Sequence, residues 1–206
     1  MKKNIPTPAI ERLCSVYHIL EEMEKEGITA VSSKEIGARI GVEAHSIRKD
    51  INYLGEIGNG RAGYEVGELK RHIKKHLKLP EHTKACIVGI GRLGTAILHD
   101  NRFASYGYDV VAGFDTNINK LETIKTNVPV YPAHEITAIV KRNRIQLAVL
   151  AIPADTAQET ADRLIDGGIV GILNFAPVVL HPVSGVAIRN IDIVNEFRIL
   201  SSIANI

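Results

Sequence analysis

Lys84-Ala85-Cys86-Ile87-Val88-Gly89-Ile90-Gly91-Arg92-Leu93-Gly94-Thr95-Ala96 joins an apolar strand to a helix through Gly-x-Gly-x-x-Gly. In that context each glycine has its own task. Gly89 permits a tight turn, Gly91 lets a pyrophosphate approach the backbone, and Gly94 lets the helix pack closely on the strand. The helix start favours an anion. Ile90, Arg92 and Leu93 complete the loop. A second apolar strand, Tyr108 to Phe114, ends in Asp115, 21 residues beyond Gly94. An acidic side chain at that point binds adenosine ribose hydroxyls and repels a 2′-phosphate, so the spacing predicts NAD(H) rather than NADP(H). The plainer reading of Asp115 is a strand-end cap.

Downstream the pattern continues to alternate. Val128 to Tyr131 reads as a short strand, Glu135 to Arg144 as a helix, and Ile145 to Ile152 as a buried strand ending at Pro153. Asp155 or Thr156 caps a helix that runs to Asp166, and Ile169 to Phe175 forms the next strand before Ala176-Pro177. Such alternation implies a doubly wound parallel α/β sheet of Rossmann type, with its ligand at the carboxyl ends of the strands. Ile152, Pro153, Asn174, Ala176 and Pro177 fall at such ends and are expected near a nicotinamide, against the alternative of ordinary loop chemistry. Val186 to Val194 adds an edge strand. Asn195 to Ile203 makes a short helix whose Phe197, Leu200 and Ile203 need a surface to cover them.

The N-terminal third has a different rhythm. Thr7-Pro8 reads as an N-cap with proline at the first helical position. Ile10, Leu13, Cys14, Tyr17, Leu20 and Met23 repeat at helical spacing until Gly27. Ser32 and Glu35 form a capping box for a second helix that ends at Gly41. A third helix, Ala44 to Leu54, turns Ile47, Ile51 and Leu54 inward. Two short helices joined by a Gly-containing turn make a helix-turn-helix. His45, Ser46, Arg48, Lys49 and Asn52 lie on the outer side, and such side chains reach base edges and phosphates. Gly58 to Val66 reads as a hairpin or wing, with Arg61 at its tip for a minor groove and Tyr64 beside it. A fourth helix, Val66 to Leu79, shows Lys70, Arg71, Lys74, Lys75 and Lys78 outward. A helical cap or dimerisation domain with a solvated basic face is the competing reading.

Composition bounds the rest. The 206 residues, 45% hydrophobic and 23% charged, describe a globular chain with a formal net charge of +2. Residues 1–80 hold 14 Lys and Arg against 11 Asp and Glu, whereas residues 81–206 hold 11 against 12. A polyanion partner for the first part alone fits that asymmetry. No secretion signal or membrane span is read, and Cys14 and Cys86 are expected as buried, reduced thiols in a cytoplasmic protein. Neither a metal-ligand cluster nor a Ser/His/Asp or Cys–His arrangement stands out. The chain left after the nucleotide domain is too short for a substrate domain, so no enzyme is expected. The boundaries are read as a winged-helix DNA-binding domain at 1–80, a dinucleotide domain at 81–190 and a terminal helix at 191–206.

Several runs together resemble the redox-sensing transcriptional repressor Rex family. They are Pro8 to Leu13, Ser46-Ile47-Arg48-Lys49-Asp50-Ile51, Gly63-Tyr64, Cys86 to Gly94, and Gly171-Ile172-Leu173-Asn174-Phe175-Ala176-Pro177-Val178. The resemblance covers nearly the whole chain. It implies a homodimer whose C-terminal helix is exchanged between subunits, with operator DNA bound in the presence of NAD+ and released by NADH, and the symmetry of such a dimer predicts a palindromic operator. Some positions depart from the family. The wing reads Gly60-Arg61-Ala62-Gly63-Tyr64, with its arginine shifted by one. His18, Asp100 and Asp192 stand where family members carry a redox-tracking arginine, tyrosine and aspartate, and Ile193 follows where an aromatic is frequent. A His18 flanked by Asp100 and the partner subunit's Asp192 would make the response pH-dependent. A small NAD-dependent oxidoreductase and a CoA- or nucleotide-binding regulatory module are the alternatives.

Overall fold

Helix α1 (Thr7–Lys25) buries Leu13, Val16, Leu20 and Met23 on one stripe. In the computed structural model, residues 5–55, 57, 63–79, 81–117, 119 and 123–205 are described. Pro6 is the N-cap of α1, so Thr7 and Pro8 lie one step further in than expected, and no side chain caps that end. Cys14 is exposed rather than buried. One residue on an α-helix is a rotation of about 100°, which carries Cys14 off the stripe that Leu13 occupies.

Strand β1 (Ala30–Val31) leads into α2 (Ser33–Ile40). The capping box is present: Ser32 Oγ accepts from Glu35 N, and Glu35 Oε2 accepts from Ser32 N at 2.7 Å. Gly41 closes α2 at φ 69°, a left-handed cap that glycine adopts without strain. Helix α3 (Ala44–Ile51) follows and ends in a 3-10 turn, Asn52–Leu54. Strand β2 (Tyr64–Glu65) pairs antiparallel with β1 and leads into α4 (Val66–Leu77). Leu13, Leu20, Ile36, Ile47, Ile51, Leu69 and Ile73 make the core of this part.

The chain divides into two units, Met1–Pro80 and Glu81–Ile206. The second unit is built on six parallel strands in the order β5-β4-β3-β6-β7-β8. These are β3 (Thr83–Val88), β4 (Tyr108–Asp115), β5 (Val130–Pro132), β6 (Leu147–Leu150), β7 (Gly171–Asn174) and β8 (Ala187–Asn190). Helices α5 (Arg92–Leu98), α6 (Arg102–Ser105), α7 (Ile136–Asn143) and α8 (Ala157–Gly167) intervene. Alternate residues of β3 serve different cores. Cys86 and Val88 join Phe114, Val140, Leu150 and Leu164, while Ile87 joins Ile90, Leu98 and Val149. Burial on both faces is why Ala85 to Val88 of β3 read as an unbroken apolar run. Complete burial also pushes the Cys86 thiol pKa up to about 12.

Strand β8 is a parallel edge strand, and α9 (Ile193–Ala204) follows it. Asp192 caps α9 by accepting from Asn195 N at 3.1 Å. No residue of α9 is buried. Among the described residues, no helix is long and apolar enough to cross a membrane.

Candidate functional site

The strand order places β3 at the switch between the two halves of the sheet, where a ligand crevice opens at the carboxyl ends. A cleft of about 460 Å³ lies there, lined by Gly89, Gly91, Asp115, Ile152 and Pro153 among others. The three glycines of the motif separate by physical role. A Cβ on Gly89, whose φ is 90°, would meet the Ala151 carbonyl oxygen at 2.3 Å. One on Gly94 would meet the Gly89 carbonyl oxygen at 1.9 Å. One on Gly91 would meet no protein atom within 4 Å. Protein packing therefore requires glycine at 89 and 94, and at 91 the free space belongs to whatever enters the cleft.

Asp115 ends β4 at the cleft and is buried. Its Oδ2 accepts from Ile90 N and its Oδ1 from Asn117 N, each at 2.8 Å. The carboxylate thus ties the glycine loop to β4 and faces the cleft with a fixed orientation. These residues fit a dinucleotide: a backbone open at Gly91, an acidic group at the ribose position, and apolar Ile152 and Pro153 opposite. Arg92 and Leu93 are exposed at the start of α5, and Ile90 is buried.

Asn174, Ala176 and Pro177 do not line this cleft. Asn174 is fully buried, donating from Nδ2 to Val178 O at 2.7 Å and to Asn190 Oδ1 at 2.8 Å, while Oδ1 accepts from Ala176 N at 3.0 Å. It binds β7, β8 and the following loop to one another. Buried amides need such partners, and here the protein supplies them. Ala176 is buried and Pro177 exposed beside it. Conversely, the cleft includes Thr156, Glu159, Thr160 and Arg163 from the start of α8, which the sequence reading missed. Arg163 donates to Glu159 Oε1 at 2.6 Å. Their spacing is that of any solvated helix face, so nothing local marks them.

In the first unit, α3 exposes His45, Arg48 and Lys49, with Ser46 half-buried, and turns Ile47, Asp50 and Ile51 inward, and Asn52 is exposed in the 3-10 turn that follows. Arg48 Nη1 donates to Ser33 Oγ at 3.0 Å. Tyr64 is buried in the core, so its expected place on a DNA-facing surface is corrected. Pairing of β2 with β1 turns its ring inward, burial raises the phenol pKa, and the charge of Arg48 opposes that rise. Arg61 lies outside the described residues.

A family model described as "CoA binding domain" matches residues 80–178, and one described as "Putative DNA-binding protein N-terminus" matches residues 4–52. The redox-sensing transcriptional repressor Rex of Desulfitobacterium hafniense is 36% identical over 197 residues, 96% of this chain and 94% of that one. Rex of Carboxydothermus hydrogenoformans is also 36% identical, over 96% of this chain and 95% of its own. A crystal structure of the repressor RSP with β-NAD+ and operator DNA has a TM-score of 0.90 at 33% identity, covering 99% of this chain and 94% of that one. The RSP structure with β-NADH has a TM-score of 0.86 at 32% identity, over 99% and 96%. The chain belongs to the Rex family.

In this Rex chain the three positions expected to form a switch, His18, Asp100 and Asp192, each have a local partner. His18 Nε2 lies 3.5 Å from Glu22 Oε1. Asp100 is held by Arg102, whose Nη2 donates to Oδ2 at 2.6 Å and whose backbone N donates to Oδ1 at 3.0 Å. These bonds hold the Asp100 carboxyl down at a pKa of about 2. Asp192 is the α9 cap. Arg102 went unnoticed as the partner of Asp100 in the sequence reading. Beside it, His99 Nδ1 lies 2.8 Å from Thr95 O and Nε2 lies 2.8 Å from Lys125 O. Two carbonyl partners call for two ring N–H groups, and the His99 pKa is raised accordingly, chiefly by Lys125 O and then by Thr95 O.

Proposed function

We propose that this Rex protein binds operator DNA through α3 and the wing and binds NAD(H) in the β3–β4–β6 cleft, with NADH weakening DNA binding. The open space at Gly91, set against the enforced glycines at 89 and 94, carries the cofactor assignment. The RSP structures with NAD+ and operator DNA, and with NADH, support the same pairing of ligands. Arg48 and Lys49 supply the major-groove contacts, with His45, Ser46 and Asn52 beside them, and Arg61 reaches the minor groove. Because the signal is differential binding, NADH must prefer the DNA-incompetent arrangement. A ligand of equal affinity for both arrangements shifts nothing.

The active form is a homodimer. Helix α9 leaves Ile193, Val194, Phe197, Leu200 and Ile203 each more than half exposed, and exchange of this helix between subunits would cover them. Two-fold symmetry calls for a palindromic operator with half-sites spaced by about 34–36 Å or a multiple. His18, Asp100 and the partner subunit's Asp192 communicate the cofactor state. A regulator of this kind works on the chromosome, in the cytoplasm. CoA, which the family-model description names, is the competing ligand. Its ribose phosphate would meet Asp115, Asp155 and Glu159 in the cleft, with Arg163 already engaged by Glu159.

The test is a duplex-binding titration on a selected inverted repeat at one salt concentration, because phosphate contacts make affinity salt-dependent. Release by NADH but neither by NAD+ nor by CoA is expected. Binding that ignores NADH would overturn the proposal.

A further inference from the structure

Asp50 lies on the inward face of α3 and is 2% exposed. A carboxylate so placed is costly unless it is paired. Its partner comes from α1, 38 residues earlier. Arg12 Nε donates to Oδ2 at 2.6 Å and Nη2 donates to Oδ1 at 2.9 Å, a two-pronged fork.

Two observations separate this pair from ordinary packing. The first is energetic. Apolar side chains of similar volume hold buried helices as firmly as an ion pair, so cohesion is not what the pair adds. Apolar contact is non-directional, whereas a fork fixes both a distance and an angle. The second is positional. Asp50 directly follows Arg48 and Lys49, on the helix whose outward side chains face the polyanion. A roll of α3 by about 20° moves a side-chain end about 5–6 Å from the axis by about 2 Å. A two-pronged base contact does not survive that displacement.

We infer that the Arg12–Asp50 pair is a positioning device for reading DNA sequence: it sets the roll of α3, and its contribution is discrimination rather than folding. The inference rests on the operator-binding role proposed above. Arg12→Met alone would strand a buried carboxylate, so the deciding variant is the double replacement Arg12→Met with Asp50→Leu. The companion is Arg12→Lys, which keeps the charge and removes the fork. The probes are a duplex selected by the wild-type chain from randomised inverted repeats, and a random duplex of equal length.

The double variant is expected to keep its melting temperature, NADH affinity and random-duplex affinity. Its preference for the selected duplex should fall at least tenfold, and Arg12→Lys should fall part of the way. Undiminished preference in the double variant would overturn the inference, as would an equal loss on both duplexes, which marks a merely structural role. If the double variant does not fold, Arg12→Lys decides by the same ratio. A wild-type chain that selects no duplex would instead overturn the operator reading, a result distinguishable from either.

Discussion

The two units present their ligands with opposite kinds of surface. The first offers a convex row of side chains on α3, and on the proposed reading its specificity lies in what those side chains are and how the helix is rolled. The second offers a concave cleft whose shape lies in the backbone, through glycines 89 and 94 and the Asp115 carboxylate that pins the loop. A convex surface made of side chains tolerates substitution with loss of affinity alone. A cleft made of backbone fails as a fold when one methyl group is added. Function and stability are therefore separable in the first unit and entangled in the second, except at Gly91.

The largest effect should come from Gly94→Ala. Its Cβ would lie 1.9 Å from the Gly89 carbonyl oxygen, so the strand–loop–helix junction must shift. Overpacking of this kind costs about 3 kcal/mol. Thermal unfolding of the Glu81–Ile206 unit should move down by several degrees, with NADH binding lost. A variant as stable as wild type would break the comparison.

Gly91→Ala sharpens it. With φ −82° and no protein atom near the added methyl, unfolding should stay within about 0.5 kcal/mol of wild type. NADH affinity, measured by calorimetry, should nevertheless fall at least tenfold. Equal affinity would mean that the cofactor does not pass Gly91.

On the convex side, Arg48→Ala should cost about 1–3 kcal/mol of specific DNA affinity, while Lys49→Ala should weaken binding to all duplexes and reduce the salt slope by about 1. Both residues are exposed, so neither should alter melting. A drop in melting temperature would show that this surface is entangled with the fold after all.

The smallest effect concerns His99. Its raised pKa means that the imidazolium link between Thr95 O and Lys125 O is complete below the ordinary value of 6.5. The link is lost as pH rises through the higher folded value. Amide exchange in residues 123–129, corrected for intrinsic rates, should rise in wild type as pH is raised from below 6.5 through the higher folded value. It should not rise in His99→Gln. A pH-independent wild type would remove the link.

The contrast also explains what was legible in the sequence. Gly89, Gly91, Gly94 and Asp115 are read from spacing, because turn, approach and packing constraints act within a few residues of chain. The Ser32–Glu35 box is read for the same reason. Tyr64 was misplaced because a residue beside wing glycines looks outward until its two-residue pairing with β1 turns it in. Asn174 reads as a ligand group at a strand end, and its amide partners Val178 and Asn190 are not revealed by spacing. Arg12 with Asp50 had no local sign at all. Glu159 and Arg163 carry helical surface spacing, and only the crossover from β6 brings them to the cleft.

Cys86 lies in β3, immediately before the glycine loop, and is the one cysteine of its unit. Thiolates, not thiols, react with peroxides and disulfides. Held as a thiol and sealed from solvent, Cys86 gives oxidants nothing to attack. The unit's single cysteine is thereby kept from thiolate chemistry. On the proposed reading the unit registers the state of a metabolite pool through a ligand that comes and goes, not through oxidation of Cys86.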